Sequence, residues 1–256
     1  MIETVLTVHN IKFVTKTIFE LQLSSKTVLP KMLAGQFLHL KVPGSEPLLR
    51  RPFCLYKFEP KSITLLIAVL GRGTKMLSSL KKGDEIMAIL PIGNGFTLKP
   101  NHQKVALIGG GVGIAPLCMV APTNSGKQVN AYLGFTNKQN ALDTNAFSKT
   151  CNKAVVTTDD GTLGLKGNPI KAFLDDYNSG YKPDVILTCG SHGLLKAVKA
   201  MCAKYNIEAY MSGEERMGCG VGACLVCACA VKKGSEIQNL RACVDGPVFN
   251  IAEVVL

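Results

Sequence analysis

The chain reads as a multi-domain β plus α/β protein. It comprises an N-terminal antiparallel β-barrel over residues 1–99, an open parallel α/β sheet over 100–210, and a small cysteine-rich domain over 211–256. Three observations predict this. Short alternating or β-branched runs, parted by turn residues, fill the first hundred positions. Strand–helix alternation with a Gly-rich turn follows. The last stretch gathers four cysteines at fixed spacing.

In the first region the strand-like runs are Thr4–Val8, Ile18–Leu23, Phe37–Val42, Ile63–Val69 and Glu85–Leu90, with turns at Pro43-Gly44, Pro60-Lys61 and Gly83-Asp84. Many short strands with regular turns suggest a closed or nearly closed barrel. Two segments stand out chemically. Arg50-Arg51-Pro52-Phe53-Cys54-Leu55 is expected directly before a strand. Gly71-Arg72-Gly73-Thr74-Lys75 opens a short helical segment at Met76–Leu80. Such a turn is a plausible anion site, although turns of this kind are often plain helix starts. Beside an Arg-rich strand end, it becomes a candidate for the pyrophosphate of a flavin nucleotide.

Asn101–Lys104 reads as a linker, and Lys104–Ile108 as a buried parallel strand. Gly109-Gly110-Gly111-Val112-Gly113-Ile-Ala-Pro116 then turns into a helix. Its glycines permit close backbone approach, and a helix N-terminus favours a pyrophosphate. The G-x-G-x-x-G fingerprint is absent, because Pro116 stands where its last glycine would be. The acidic ribose ligand expected about twenty positions on is missing too: Val129–Asn137 ends its strand without one. Ala154–Thr158 and Asp184–Thr188 read as strands, Ile170–Tyr177 as a helix, and Leu194, Leu195, Val198, Met201 and Cys202 as a helical stripe. This makes an open parallel α/β nucleotide-binding sheet. Cys189-Gly190 lies at a strand's C-terminal end, where such sheets bind ligands; a buried thiol ending a strand is an equal reading. His192 reads as a turn or capping residue, Asp159-Asp160-Gly161 as a turn, and no residue is assigned a catalytic role.

The last region carries Cys219-Gly-Val-Gly-Ala-Cys224-Leu-Val-Cys227, then fifteen residues, then Cys243. C-x4-C-x2-C with a distant fourth cysteine is the plant-type [2Fe–2S] spacing. Structural zinc sites pair their cysteines in closer knuckles, so zinc is the weaker reading and disulfides the weakest. Cys229 shares a strand side with Cys227; it could stand near the cluster without ligating it, or serve as a small buried hydrophobe.

Composition narrows the function classes. The net charge is +11, but the lysines are scattered, aromatics are 6% and Trp is absent, so nucleic-acid binding has little support. The apolar run from Val105 up to Lys127 is near spanning length, yet its glycines and Pro116 make it a poor helix, and no membrane role is expected. The N-terminus has no secretory pattern. Ten cysteines in such a chain read as ligands or core residues of a cytoplasmic protein.

Arg51-Pro52-x-Cys54, Gly71-x-Gly73-Thr74, Gly109-Gly-Gly-Val-Gly-x-x-Pro116-Leu117 and Cys189-Gly190 together resemble the ferredoxin–NADP reductase superfamily. Glu214-Glu-Arg-Met-Gly-Cys219 through Cys229, with Arg241-Ala-Cys243-Val-Asp-Gly-Pro-Val-Phe249, narrows the likeness. Nearly the whole chain resembles the electron-transfer subunits of class B, NAD-dependent dihydroorotate dehydrogenases. Thr158-Asp-Asp-Gly-Thr162 and Lys166-Gly167 agree with this. The resemblance implies FAD, a [2Fe–2S] cluster and NAD as electron acceptor. It also implies a separate FMN-containing catalytic subunit, assembled two plus two as a heterotetramer, in pyrimidine biosynthesis. FAD would be held by Arg51, Pro52, Phe53, Cys54, Leu66, Ile67, Ala68, Gly73 and Thr74. NAD would be held by Gly110, Gly111, Gly113, Cys189 and Gly190, and the cluster by Cys219, Cys224, Cys227 and Cys243.

Three departures from the pattern are visible. Cys54 stands where the family usually has Ser, and a thiol is the weaker donor. Leu66-Ile67-Ala68 replaces a more frequent Ile-Tyr-Arg, so Arg72 or Lys75 would have to supply the lost cation. Ser191 follows Cys189-Gly190 where Pro is more usual. The rival reading is the flavin/iron–sulfur subunit of an NAD(P)H–ferredoxin oxidoreductase, sulfide dehydrogenase or hydrogenase. An adaptor that merely binds metal would not need both phosphate-type turns. The choice of NAD over NADP comes from the family alone.

Overall fold

The computed structural model of the chain describes residues 1–44 and 48–256. Strands β1 (Ile2–Phe13), β2 (Ile18–Ser24), β3 (Phe37–Leu40), β4 (Arg51–Cys54), β5 (Lys57–Glu59), β6 (Ser62–Ala68) and β7 (Glu85–Ile92) form one antiparallel sheet. Their order is β4-β3-β7-β1-β2-β6-β5, with helix α1 (Arg72–Ser78) between β6 and β7. Alternation decides which side chains face in: Phe19, Leu21 and Leu23 of β2 and Ile86, Ala88 and Leu90 of β7 are buried, with less buried residues between them. A bulge between Val8 and Asn10 lets the long β1 serve both β2 and β7. The edge strands are joined by Leu55-Tyr56. There the Leu55 N–H donates to Gln36 O (3.1 Å) and the Tyr56 N–H to Thr64 O (3.1 Å), closing the seam of the barrel.

The Arg-Pro segment departs from expectation, since Arg51–Cys54 is itself a strand. Pro52 is tolerated because β4 is an edge strand paired only with β3, where a missing N–H costs no ladder bond.

The second unit runs β8 (Lys104–Gly110), a 3-10 segment Gly111–Leu117, α2 (Val120–Thr123), β9 (Gln128–Phe135), α3 (Asn145–Thr150), β10 (Lys153–Thr158), β11 (Leu165–Lys166), α4 (Pro169–Asn178), β12 (Val185–Cys189), α5 (His192–Tyr205) and β13 (Glu208–Ser212). Past the cysteine loop come a two-stranded ribbon, β14 (Ala228–Lys233) and β15 (Glu236–Arg241), and finally β16 (Val248–Asn250). The sheet order is β11-β10-β9-β8-β12-β13-β16, all parallel except β16. The order reverses between β8 and β12, the kind of switch point where such sheets open a crevice at their C-terminal ends. The helix expected after the glycine turn is a 3-10 segment instead, with Pro116 inside it. Proline's missing N–H breaks the α-helical ladder there.

Val105 and Leu107 of β8 face the barrel side, and Ala106 and Ile108 face α4 and α5. The barrel interior and one face of the parallel sheet thus share a continuous core. Each fully buried aliphatic side chain contributes about 1.5–3 kcal/mol, so this core outweighs any single polar link between the units. No helix among the described residues is long and apolar enough to cross a membrane.

A polar knot fixes the linker. Lys99 Nζ donates to Glu208 Oε1 (2.6 Å), the Tyr210 hydroxyl to the same oxygen (2.7 Å), and His102 Nε2 lies 3.2 Å from Oε2. Lys127 Nζ donates to His102 O (2.6 Å). The Lys99 bond, then Tyr210, brings the Glu208 carboxyl down to about 2 from 4.5. A lowered carboxyl stabilises the fold above its unfolded pKa and loses that contribution as pH falls through the folded one. Glu208→Gln is therefore expected to lower Tm by about 2–4 °C at pH 7. In acid melts the Tm gap to the parent chain should close between pH 4.5 and about 2.

Candidate functional site

A cavity of about 480 Å³ lies where the barrel, the switch point and the cysteine domain meet. Such a volume suits a small-molecule site. Arg51, Pro52, Phe53 and Cys54 line it from β4, Leu66, Ile67 and Ala68 from β6, and Gly73 and Thr74 from α1. All nine residues expected around a flavin therefore share one wall. Of the two cations considered as substitutes beside Ala68, Arg72 lines the cavity and Lys75 does not. Thr74 builds the turn: its Oγ1 accepts from the N–H groups of Leu70 (2.9 Å) and Gly71 (3.2 Å). Arg51 is braced by the two residues before its strand, with Nη1 donating to Leu49 O (2.8 Å) and Arg50 O (3.2 Å).

The opposite wall comes from Val112, Ala115 and Pro116 of the 3-10 segment. Gly113 stands where a side chain could not: an added Cβ would lie 2.6 Å from Gly190 Cα and 2.7 Å from Cys189 O. The turns after β8 and β12 are thereby pressed together, so Gly110, Gly113, Cys189 and Gly190 stand side by side with Gly111 next to them in the chain; none of the five lines the cavity itself. Ser191 caps α5, its Oγ accepting from the Leu194 N–H (3.3 Å), so His192 is the first helical residue.

Beside these walls sit groups whose charged forms burial disfavours. Burial, then the Glu214 carboxylate, pushes the Cys54 thiol up to about 12; burial and Cys54 push Cys189 well up too. Burial likewise raises the Glu214 carboxyl. Ser212 lies within reach of both thiols, although its Oγ has no hydrogen bond of normal geometry among the described residues. Sequence reasoning missed Glu214 as a site residue, along with Phe37, Val112, Met217 and Ala242. Glu214 stood inside the motif that leads to the cysteines, and its two-carboxylate run was the available signal. The others are apolar and carry none.

The cysteine loop abuts the same cavity. Ala242, which lines it, precedes Cys243, and Phe37, Ile92, Cys227, Ala242 and Cys243 pack as one apolar cluster with Cys54 and Met217 against it. Among the described residues no three His, Cys, Asp or Glu side chains gather around a single metal position. The four cysteines meet as two pairs instead. Cys227 and Cys243 have their sulfurs 3.3 Å apart, and Cys224 Sγ accepts from the Cys219 N–H (3.3 Å) and lies within reach of the Cys219 thiol. Two thiol pairs in an N–H-lined loop fit a two-iron cluster better than one tetrahedral zinc. Backbone N–H donation, from Val221 first, brings the Cys219 thiol down to about 6. Cys229 points elsewhere, into the core beside Val231, Phe249 and Ile251.

The tail holds this loop in place. Arg241 Nη1 donates to Gly222 O (3.2 Å) and its Nε to Asp245 Oδ2 (3.2 Å). Asn94, just past β7, donates from Nδ2 to Asp245 O (3.0 Å) and Val248 O (3.1 Å) and accepts from the Val248 N–H (2.9 Å).

Comparison with known proteins places these features. Residues 214–255 match the model of the iron-sulfur cluster binding domain of dihydroorotate dehydrogenase B. The chain is 41% identical to the dihydroorotate dehydrogenase B (NAD(+)) electron transfer subunit of Streptococcus mutans serotype c, covering 98% of this chain and 97% of that one. It is 38% identical to the subunit of the same name from Clostridium acetobutylicum, over 87% and 86%. In fold it is similar to a solved NADH-dependent reduced ferredoxin-NADP oxidoreductase, with a TM-score of 0.87 at 24% identity over 98% and 90% of the two chains. It is also similar to phthalate dioxygenase reductase, with a TM-score of 0.67 at 17% identity over 94% and 77%.

The split between thiols is directly measurable. In iron-stripped chain at pH 7, iodoacetamide followed by peptide mass spectrometry should modify Cys219 well before Cys118 or Cys202, both pushed to about 12 by burial. The Cys219 rate should fall as pH drops through about 6. Equal labelling of all three would contradict this electrostatic reading.

Proposed function

The chain belongs to the family of dihydroorotate dehydrogenase B (NAD(+)) electron transfer subunits, and on that premise we propose how its residues divide the work. It is the electron-transfer part of an oxidoreductase, and a subunit of this kind serves a catalytic partner. The observation that carries the reading is the continuity of one cavity from the Arg51–Cys54 strand to Ala242 beside Cys243. A nucleotide wall and a thiol loop that share an apolar boundary suit electron relay.

The residues present fit the groups the family implies. Flat apolar walls from Pro52, Phe53, Leu66 and Ile67, cationic Arg51 and Arg72, and the Gly73-Thr74 turn suit a flavin with its pyrophosphate. The paired thiols suit a [2Fe–2S] cluster. When bound, the cluster supplies single-electron transfer and FAD the exchange between single electrons and a hydride. The chain does the rest. Arg51 and Thr74 position the nucleotide, while the half-buried Gly110, Gly111 and Gly190 would offer their backbone to NAD, over Gly113 and Cys189, which are buried beneath them. Cys54 keeps its proton on Sγ at neutral pH, so it offers the flavin edge a weak S–H donor where the family has a hydroxyl. The division into 1–99 for FAD, 100–210 for NAD and 211–256 for the cluster belongs to this proposal, with β16 returning from the last part to the α/β sheet.

The partner would be an FMN-containing catalytic subunit joined as a heterotetramer in the cytoplasm. Its docking surface would be the rim of the cysteine loop, where Val221, Leu225, Val226 and Val244 are exposed apolar side chains. A cluster at a subunit boundary shortens the path for electrons from outside the chain. The NADH-dependent reduced ferredoxin-NADP oxidoreductase shares the fold at 24% identity, whereas the Streptococcus mutans subunit named for dihydroorotate dehydrogenase is 41% identical; a ferredoxin-linked reading is therefore the weaker.

The chain alone is expected to reduce artificial dyes with NADH yet show no dihydroorotate-linked NAD⁺ reduction. Co-expression with a candidate catalytic subunit should restore that reaction. A stable complex without it would favour the ferredoxin-linked alternative. Leu225→Glu should keep dye reduction within about two-fold but weaken the complex at least about ten-fold, as read by calorimetry.

A further inference from the structure

His39 is a fully buried polar residue of the barrel that neither the nucleotide wall nor the thiol pairs account for. It lies on β3, where side chains alternate. Leu38 and Leu40 enter the barrel core, while Phe37 and His39 face the other way, and Phe37 packs on Cys227, Ala242 and Cys243. Its neighbours across the sheet are Pro52 of the cavity wall and Ile89, which packs on the same cysteine cluster. Burial holds the imidazole at about 4, so at neutral pH it carries one N–H and one lone pair. Its polar edges lie near the backbones of Arg50 and Cys219, yet neither ring nitrogen makes a hydrogen bond of normal geometry among the described residues.

Gly220 shows how close the loop comes. Its φ is +72°, and an added Cβ would sit 2.6 Å from His39 Nδ1. The loop residue between Cys219 and Val221 is thus moulded on the imidazole, and Nδ1 is the edge that meets it. A buried imidazole with unpaired nitrogens is costly unless a partner is supplied, and an apolar residue would fill the same space without that cost.

We propose that His39 is a positioning residue for the iron–sulfur cluster. Through Nδ1 it hydrogen-bonds the Cys219-Gly220 backbone when the loop closes on the cluster, fixing the Cys219 ligand without binding iron itself. Backbone hydrogen bonds and solvent exposure around the sulfurs set a cluster's reduction potential, so His39 also tunes that potential from the barrel side. The inference rests on Cys219, Cys224, Cys227 and Cys243 being the ligands.

The test uses His39→Leu, which fills the space without polar atoms, and His39→Asn, whose side-chain amide replaces Nδ1. All proteins are purified anaerobically as holoenzyme. Iron release to a chelator, the cluster's potential by redox titration with electron paramagnetic resonance, and FAD content are measured on each. Expected for His39→Leu are full FAD, iron release about ten-fold faster and a shifted potential; His39→Asn should recover the parent values for release and potential. A His39→Leu protein with the parent's release rate and potential would overturn the inference. So would a His39→Asn protein no better than His39→Leu, including the case in which both lose FAD and fold, because the imidazole would then be only packing. Parent chain lacking iron and sulfide would instead overturn the ligand reading on which this rests.

Discussion

The architecture depends on how the C-terminal tail is fastened. Among the described residues the cysteine loop forms no sheet with the barrel, and its ribbon β14–β15 meets other backbone at the tail, where the Lys232 N–H donates to Glu253 O and the Val255 N–H to Ala230 O. Asn94 makes the difference: its amide binds Asp245 and Val248 three times, and β16 then pairs with β13. The two part-buried bonds to Val248 are worth about 1 kcal/mol each, whereas the exposed bond to Asp245 O and the Arg241–Asp245 ion pair are worth less. The amide clamp and the apolar cluster around Phe37 therefore govern the loop's position, and Arg241 refines it. With the tail fixed at both ends, Cys243 and Cys227 come to the edge of the cavity.

The cysteines show how one residue type acquires different chemistry from its surroundings. Burial disfavours the thiolates of Cys54, Cys118, Cys189 and Cys202, and the Glu214 carboxyl adds to it at Cys54 and Cys189. Cys219 receives backbone N–H groups that favour its thiolate. Cys243, in the same loop, is pushed up to about 11 by burial and then by Cys227, so acidity alone does not single out the four loop cysteines. Their placement does: Cys227 and Cys243 stand 3.3 Å apart, while Cys118 and Cys202 lie elsewhere in the core.

Much of this was legible in the sequence. The five strand-like runs of the barrel all became strands: alternation marks the buried side of β2 and β7, whereas β3 and most of β6 are buried on both faces. The C-x4-C-x2-C spacing already implied a loop wrapping a cluster. What stayed hidden needed tertiary context. β4 read as the segment directly before a strand because Arg51 and Pro52 are poor strand formers, and its edge position makes them acceptable. β15 is nearly all exposed, so its side chains carry no period to read. β16 is too short to signal anything and matters through the strand it pairs with. Phe37 and Met217 are ordinary apolar residues in sequence; the fold alone brings them between cavity and cysteines.

The central claim is that a flavin cavity and a two-iron loop sit side by side in one chain. The most direct measurement is metal, acid-labile sulfide and flavin analysis of chain purified without oxygen, followed by the spectrum of the dithionite-reduced protein. The account predicts iron and sulfide in equal amounts, FAD at half the iron, and a reduced [2Fe–2S] signal. Zinc in place of iron, or iron without flavin, would contradict it.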